Sequence, residues 1–474
     1  MKFLKKIAVS AAVSLSCFAG LSAQEAKYIF YFIGDGMGQN QVQLAELYRG
    51  EAEGYIGVKP LLFTSFPQAS VATTFSGTNG VTDSAASGTA LSTGSKTANG
   101  CIGVAADKKT PLKSIAKLAK EAGKRVGVSS SVGINHATPA AFYGHNESRK
   151  NYNSIGRQLP ESGYDFFAGS DFWGVAPADS AGLYNLVRDK GYTIARGYSD
   201  FESKADKNDR IILFQPEKYS ETDCRTIPYA IDRDKDAMTL SEIVKAGIRF
   251  LTKNGGEGDN GFFFMVEGGN IDWQCHSNDA ASVVREVIDF DKAIGIAYDF
   301  YLKHPDETLI VVTADHETGG LYLGTGSYNL NLKALSEQKI SDVAFSRLLL
   351  NEKKSGNGVS KDRVMELVKE YFGLGGALEI TEVQQAKLDK AYEDTFGPEP
   401  KYSDSEYQIT LPIAKAAKEI VNEIALVGWG SGGHSASFVP LYVVGAGSER
   451  FAARSDNARI AMQIAEAGGF PVKK

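Results

Sequence analysis

Apolar and polar positions fall in short alternating blocks along this chain. Apolar runs of four to six residues occur at Tyr28–Ile33, Ser70–Phe75, Val126–Ser130, Phe262–Val266, Leu309–Thr313 and Leu441–Val444. Runs this short, rich in Val, Ile and Phe, read as strands rather than helices. Helical periodicity appears between several of them, at Leu112–Glu121, Ala280–Leu302 and Ala458–Ala467. Strands alternating with helices predict an α/β fold, a three-layer sandwich around a central, mostly parallel β-sheet. Asn151–Asn260 and Tyr322–Leu426 fit the alternation less well. The second is rich in Lys, Glu and Ser with helical periodicity, and is expected to form an inserted helical lid or surface subdomain within one large domain covering residues 24–474.

Composition narrows the class. The 474 residues are 43% hydrophobic and 23% charged, which excludes both a disordered chain and a polytopic membrane protein. Glycine is frequent at 50 residues but has no period, which excludes collagen-like and repeat architectures. Lys plus Arg number 51 against 57 Asp plus Glu, with no long block of either sign, so no nucleic-acid footprint is expected and the partners should be small molecules.

The first 23 residues are a different kind of segment. Lys2, Lys5 and Lys6 precede an apolar run from Ile7 to Ala23, and polar Gln24, Glu25 and Lys27 follow. This is the layout of a secretory signal peptide, removed from a periplasmic or secreted protein; a membrane anchor is the bland alternative, at the short end for a spanning helix. A lipoprotein signal would want Leu three residues before Cys17, where Ser14 stands. Removing residues 1–23 takes three lysines away and leaves Cys101, Cys224 and Cys275, which permit at most one disulfide.

Ligands of open α/β sheets bind beyond the carboxyl ends of the strands. Three predicted strands run there into acids: Gly34-Asp35-Gly36-Met37-Gly38, Glu267-Gly268-Gly269-Asn270-Ile271-Asp272, and Ala314-Asp315-His316-Glu317. Each alone could be a solvated loop, but together, crowded by glycines, they indicate a metal site. Six histidines occur. His276 lies four residues after Asp272, so one helical turn puts both on one face, and His434 follows the Gly-rich stretch Gly430–Gly433. Mixed carboxylate and imidazole ligands favour zinc. His304 and His145 sit in polar loops and read as structural or solvent-facing. Ser84, in Thr82-Asp83-Ser84-Ala85-Ala86, is the candidate nucleophile, with a phosphate favoured at a helix N-terminus. Helix capping by Asp83 or Ser84 remains the simpler reading of that segment.

Taken in order, these blocks resemble the alkaline phosphatase family. The likeness is collinear from about Lys27 to Gly447, includes His136-Ala137-Thr138-Pro139-Ala140 and Ser148-Arg149-Lys150, and is weak across the two long stretches. The resemblance implies a phosphomonoesterase that works through a phosphoserine on Ser84 with two zinc ions and one magnesium. It implies that Asp272, His276 and His434 hold one zinc, while Asp35, Asp315, His316 and the Ser84 oxygen surround the second. Asp35, Thr138 and Glu267 would hold the magnesium, and Arg149 would clamp phosphate. His136 and Trp273 occupy neighbouring positions that vary in the family; a tryptophan at 273, where other members carry a cation, bears on phosphate affinity and on the third metal. The family is often dimeric, which makes a homodimer one expectation. A related metal-dependent phosphodiesterase, or a secreted metal-binding protein without turnover, would share much of this pattern. A sulfatase is disfavoured because no Cys/Ser-x-Pro-x-Arg signature occurs, and a metal-free serine hydrolase because no Gly-x-Ser-x-Gly elbow does.

Overall fold

The computed structural model describes residues 25–223, 225–253, 259–326, 328–355, 359–402 and 409–471. The leader of residues 1–23 and Cys224 lie outside the described residues; Cys101 and Cys275 are buried free thiols.

Ten strands form one sheet: β1 (Tyr28–Ile33), β2 (Gln68–Thr73), β3 (Arg125–Ser130), β4 (Phe166–Gly169), β5 (Thr193–Arg196), β6 (Ile211–Phe214), β7 (Phe262–Glu267), β8 (Thr308–Thr313), β9 (Val439–Gly445) and β10 (Ser455–Asp456). Their order is β10-β2-β9-β8-β1-β7-β3-β4-β6-β5. Only β9 runs against its neighbours β8 and β2; every other pairing is parallel. Strand β1 lies between β8 and β7, and all six of its residues are buried, as are all six in each of those neighbours. That is why these segments read as continuous apolar runs, since a parallel strand covered on both faces has no solvent side.

Alternation along β1 sorts its rings into the two outer layers. Phe30 and Phe32 pack on Phe300 and Phe290 of the helix Ala280–Tyr301, whereas Tyr31 faces Phe142 on the other side. The predicted three-layer sandwich is present.

Three details differ from the sequence reading. The stretch 151–260 contributes β4, β5 and β6, which extend the sheet; each has only four residues, too few for a periodic signal. Strand β2 begins at Gln68 and ends at Thr73, because its pairing with β9 over Gln68–Ala72 and with β10 at Ala72 and Thr73, not its apolarity, sets its limits. The helix predicted from Leu112 starts at Ile115, where Ser114 Oγ accepts from Lys117 N at 3.2 Å and caps it.

Residues 322–426 are mainly helical, with helices Asp342–Lys354, Lys361–Phe372, Glu382–Phe396 and Pro412–Ala425. These share an apolar core that includes Phe345, Leu367, Phe372, Leu388 and Ile420 and continues onto Leu44 and Val284 of the main body. Leu321–Leu323 pairs antiparallel with Val427–Trp429, so the chain enters and leaves this layer at one place. Among the described residues no helix is long and apolar enough to cross a membrane.

Phe30 is fully buried, with ring centroids 5.0 Å from Phe262 and 5.7 Å from Phe300. Phe30→Ala is expected to lower stability by about 3–5 kcal/mol, read from the urea midpoint. A loss below about 1 kcal/mol would contradict this account of the core.

Candidate active site

The parallel sheet delivers its acids to one edge. Asp35 follows β1, Glu267 ends β7, and Asp315 and His316 follow β8, so register alone sets three carboxylates side by side. The turn after β1 must pass under the helix Asn270–Ser277. Gly36, at φ +73°, has no room for a side chain, since a Cβ there would sit 2.7 Å from the Asp272 Cα. Its amide instead donates to Asp315 Oδ1 at 3.1 Å. Asp272 and His276 project from one face of the Asn270–Ser277 helix, with His276 Nε2 3.2 Å from Asp272 Oδ2. His434 arrives from the opposite direction in a two-residue ladder, His434-Ser435 against Glu317-Thr318, and its Nε2 lies 3.2 Å from His276 Nε2.

Three groups have ligand atoms within 4.8 Å of one another: Asp272 with His276 and His434, Asp35 with Asp272 and His316, and Asp35 with His136 and Glu267. Asp315 adjoins the second, its Oδ2 lying 3.2 Å from His316 Nε2. Thr138 Oγ1 is 3.4 Å from Asp35 Oδ2. His136, read from the sequence only as a neighbour of the site, therefore sits beside Asp35 and Glu267. Trp273 is buried and meets His136 edge-on at 5.9 Å. His145 and His304 stand outside these groups; His145 contacts the Leu112 carbonyl, and the His304 ring packs near Phe300.

The electrostatics call for cations. Asp35 Oδ1, Asp315 Oδ2 and Glu267 Oε1 are buried and have no hydrogen-bond donor among the described residues. Burial pushes the Asp35 carboxyl well above its ordinary range, and the neighbouring Asp315 pushes it further. Burial, then Asp272, does the same to Asp315, and burial raises Glu267 to about 7. Asp272 is the exception: burial opposes its charge, but His276 and then His434 hold it below the usual carboxylate range. Burial also works against the charge on His276, yet Asp272 lifts it to about 9. Burial lowers His316 and His434, which keeps their rings neutral. Buried carboxylate oxygens converging on imidazole nitrogens form a donor set that fits metal ions, and a cation in place of the His276 proton would satisfy Asp272 equally.

The rings are aimed by their second nitrogens. His434 Nδ1 meets the Thr82 carbonyl at 2.8 Å and His276 Nδ1 the Gly432 carbonyl at 2.7 Å, so each donates from Nδ1 and turns Nε2 inward. Thr318 Oγ1 donates to Asp272 Oδ1 at 2.5 Å and lies 3.2 Å from His316 Nδ1, joining two of the groups. Ser130 donates to Glu267.

Ser84 begins the helix Ser84–Thr93, and Asp83 is its cap, accepting from Ala86 N at 3.0 Å. Capping thus falls to Asp83 and leaves the Ser84 hydroxyl for other work; it lies 3.2 Å from His316 Nε2. Arg149 is held beside it, donating from Nη1 to Asp83 Oδ2 at 3.1 Å and from Nη2 to His136 Nε2 at 2.9 Å. Burial, then Arg149, lowers the His136 pKa, consistent with a neutral acceptor. Glu317 stands out in the sequence only as one more acid at a strand end; its bracing role, that of Thr318 and the anchoring by Asp83 and His136 are not legible there, because their partners lie up to hundreds of residues away.

Comparison with known proteins returns one family. A family model described as alkaline phosphatase matches residues 26–170 and 219–470. The chain is 32% identical over 511 residues to alkaline phosphatase 3 of Bacillus subtilis, covering 100% of this chain and 99% of that protein. It is 29% identical over 459 residues to the repressible alkaline phosphatase of Saccharomyces cerevisiae, covering 90% and 77%. Among solved structures, a cold-active alkaline phosphatase from Shewanella superposes with a TM-score of 0.78 at 28% identity, covering 94% of this chain and 100% of that one. The Thermus thermophilus alkaline phosphatase gives 0.76 at 26% identity, covering 96% and 95%.

With its pKa raised from 4.5 to about 7 by folding, Glu267 takes up a proton on folding between those values. Its contribution to the stability of metal-free protein is therefore complete below about pH 4.5 and lost as pH rises through 7, and Asp35 and Asp315 act in the same sense. Chelator-stripped protein is expected to melt at falling temperatures between about pH 5 and 8. Glu267→Gln should flatten that slope in calorimetry; a variant profile parallel to the parent would refute the assignment.

Proposed function

The chain belongs to the alkaline phosphatase family, hydrolases of phosphate monoesters, and from that premise we propose that it hydrolyses such esters through a phosphoserine on Ser84. The observation that carries this reading is the Ser84 hydroxyl at a helix start, 3.2 Å from Nε2 of His316, itself a member of one of the three groups of side chains that could hold a metal ion.

Asp272, His276 and His434 would hold one zinc ion, two imidazoles and a carboxylate being a zinc-type set. Asp35, Asp315 and His316, with the Ser84 oxygen, would hold the second. Asp35, Thr138 and Glu267 would take a magnesium, which prefers oxygen donors. His136, whose ring nitrogen also lies near that third group, leaves room for a nitrogen-tolerant ion there instead. When bound, these ions supply concentrated positive charge that acidifies a hydroxyl and offsets developing negative charge.

The protein's own residues then have defined tasks. Ser84 Oγ attacks phosphorus as the P–O bond to the alcohol breaks, and the alcohol leaves with a proton. Water next attacks the phosphoserine, the P–Oγ bond breaks, and inorganic phosphate and the free hydroxyl are restored. Arg149 presents its planar guanidinium to two phosphate oxygens, and its anchors Asp83 and His136 fix that plane before substrate arrives. The helix Ser84–Thr93 directs its amide end toward the phosphate. The leader, outside the described residues, would send the protein to the periplasm or beyond the cell, where small phosphate esters are its partners, and two chains would pair as a homodimer. Residues 322–426 would act as an inserted surface subdomain.

Two measurements test the reading. Ser84→Ala is expected to lose nearly all turnover, on the order of 10³-fold or more, while still binding its metals. Retention of near-parental activity would reject the nucleophile. Nitrophenyl phosphate should be hydrolysed much faster than bis-nitrophenyl phosphate at alkaline pH, with chelator abolishing both; a diester preference would make the protein a phosphodiesterase.

A further inference from the structure

The helix Asn270–Ser277, which carries Asp272 and His276, ends one residue before Asn278, whose backbone is left-handed at φ 57°, ψ 39°. Glycine is the least strained residue for such a cap, so an asparagine here calls for a use of its amide. The amide makes two hydrogen bonds. Nδ2 donates to the Cys275 carbonyl at 2.8 Å within its own turn, and to the Ser431 carbonyl at 2.9 Å in the loop that leads to His434. The next carbonyl of that loop, Gly432, accepts from His276 Nδ1 at 2.7 Å. Two successive carbonyls of the His434 loop are thus tied to the end of the His276 helix.

That end is itself gripped from the helical layer. Lys418 and Asn422, one turn apart on the helix Pro412–Ala425, are both buried. Asn422 Nδ2 donates to the Asn278 carbonyl at 2.7 Å. Lys418 Nζ donates to Ser277 Oγ at 2.9 Å and is ion-paired with buried Asp342; Ser277 Oγ donates to Asp342 Oδ2 at 2.6 Å. A buried lysine is strongly disfavoured unless paired in good geometry, so this contact has one arrangement rather than many. Apart from the Lys418–Asp342 pair, each of these bonds runs to Ser277 or Asn278, the two residues directly after His276.

We propose that Asn278, braced by Asn422 and Lys418, is a positioning residue for the group Asp272–His276–His434, and that residues 322–426 thereby set the metal affinity of that group. The proposal rests on the assignment of those three side chains as metal ligands in the preceding subsection. Partners that orient ligating histidines typically change metal affinity by about 10- to 100-fold when removed.

The test compares the full chain with Asn278→Gly, which keeps the left-handed backbone, Asn278→Asp, which keeps the shape but removes the donor, and Asn422→Ala. Zinc per chain is measured after equilibration against graded chelator, alongside the melting temperature of metal-free protein. Both Asn278 variants should hold one zinc about 10- to 100-fold more weakly, with the other metals retained and kcat recovered by excess zinc. Asn422→Ala should shift the same ion by less, and carries the test alone if the Asn278 variants fail to fold. Unchanged affinities would overturn the proposal. So would equal weakening of every metal together with a lower metal-free melting temperature, which would make these bonds general support of the fold. An Asp272→Ala chain that keeps its full zinc content would overturn the ligand assignment itself, whatever the Asn278 variants do.

Discussion

Repulsion among buried carboxylates is the constraint around which this molecule is arranged. Asp35, Glu267, Asp272 and Asp315 are all essentially inaccessible to solvent and gathered at one edge of the sheet. Burial and the neighbouring carboxylates raise the pKa values of Asp35, Asp315 and Glu267, which favours their protonated forms in the absence of counter-charge. Only Asp272 has enough imidazole around it to stay charged unaided. Cations would relieve this arrangement, and the surrounding residues prevent the acids from relaxing away. Gly36 donates its amide to Asp315, Thr318 donates to Asp272, and Ser130 donates to Glu267.

The topology explains why relaxation is blocked. Three adjacent parallel strands, β7, β1 and β8, end at the same level, so their following residues are crowded whatever the loops do. The reversed strand β9 supplies the missing direction, because His434 lies just before it and reaches the acids from outside the sheet. Glu317 secures that approach. Its Oε1 accepts from Gln41 Nε2 at 2.8 Å and Leu321 N at 3.2 Å, and its Oε2 accepts from Gly320 N at 3.2 Å and from Ser435, the residue after His434. An acid adjacent to His316 thus serves as a buried bracket for the His434 ladder instead of as a ligand.

Much of this was readable before any coordinates, for physical reasons that also mark where the reading fails. Strands β1, β7 and β8 announce themselves because both faces are buried, and the acids directly after them stand out against that apolar background. The pair Asp272 and His276 is visible because a helix imposes a spacing of four. Strands β4, β5 and β6 were not visible: four residues show no period, and β5 is only half-buried. The proximity of His136 to Asp35 and Glu267 was equally hidden, since it depends on how the 131–140 segment crosses the sheet edge and not on any local pattern. Ser84 was ambiguous between cap and nucleophile because both readings use the same two residues, and the ambiguity dissolves once Asp83 takes the cap.

The proposed nucleophile and the candidate metal groups share a mechanical element. The Thr82 carbonyl that orients His434 lies two residues before Ser84, and Asp83 between them both caps the Ser84 helix and anchors Arg149. On the other side Ser87, three residues after Ser84, donates to the Asp315 carbonyl at 2.6 Å and accepts from Asn457 Nδ2 at 2.9 Å. The turn at 82–87 therefore cannot move without moving an imidazole of one candidate metal group, the backbone of another and the Arg149 guanidinium. Placing four functions on six consecutive residues lets one rigid turn hold distances that separate loops would each have to maintain, which is what preorganised catalysis demands. It also means that a substitution displacing the backbone of that turn should disturb all of these contacts together, whereas truncating the Ser84 side chain leaves the anchors at Thr82, Asp83 and Ser87 in place.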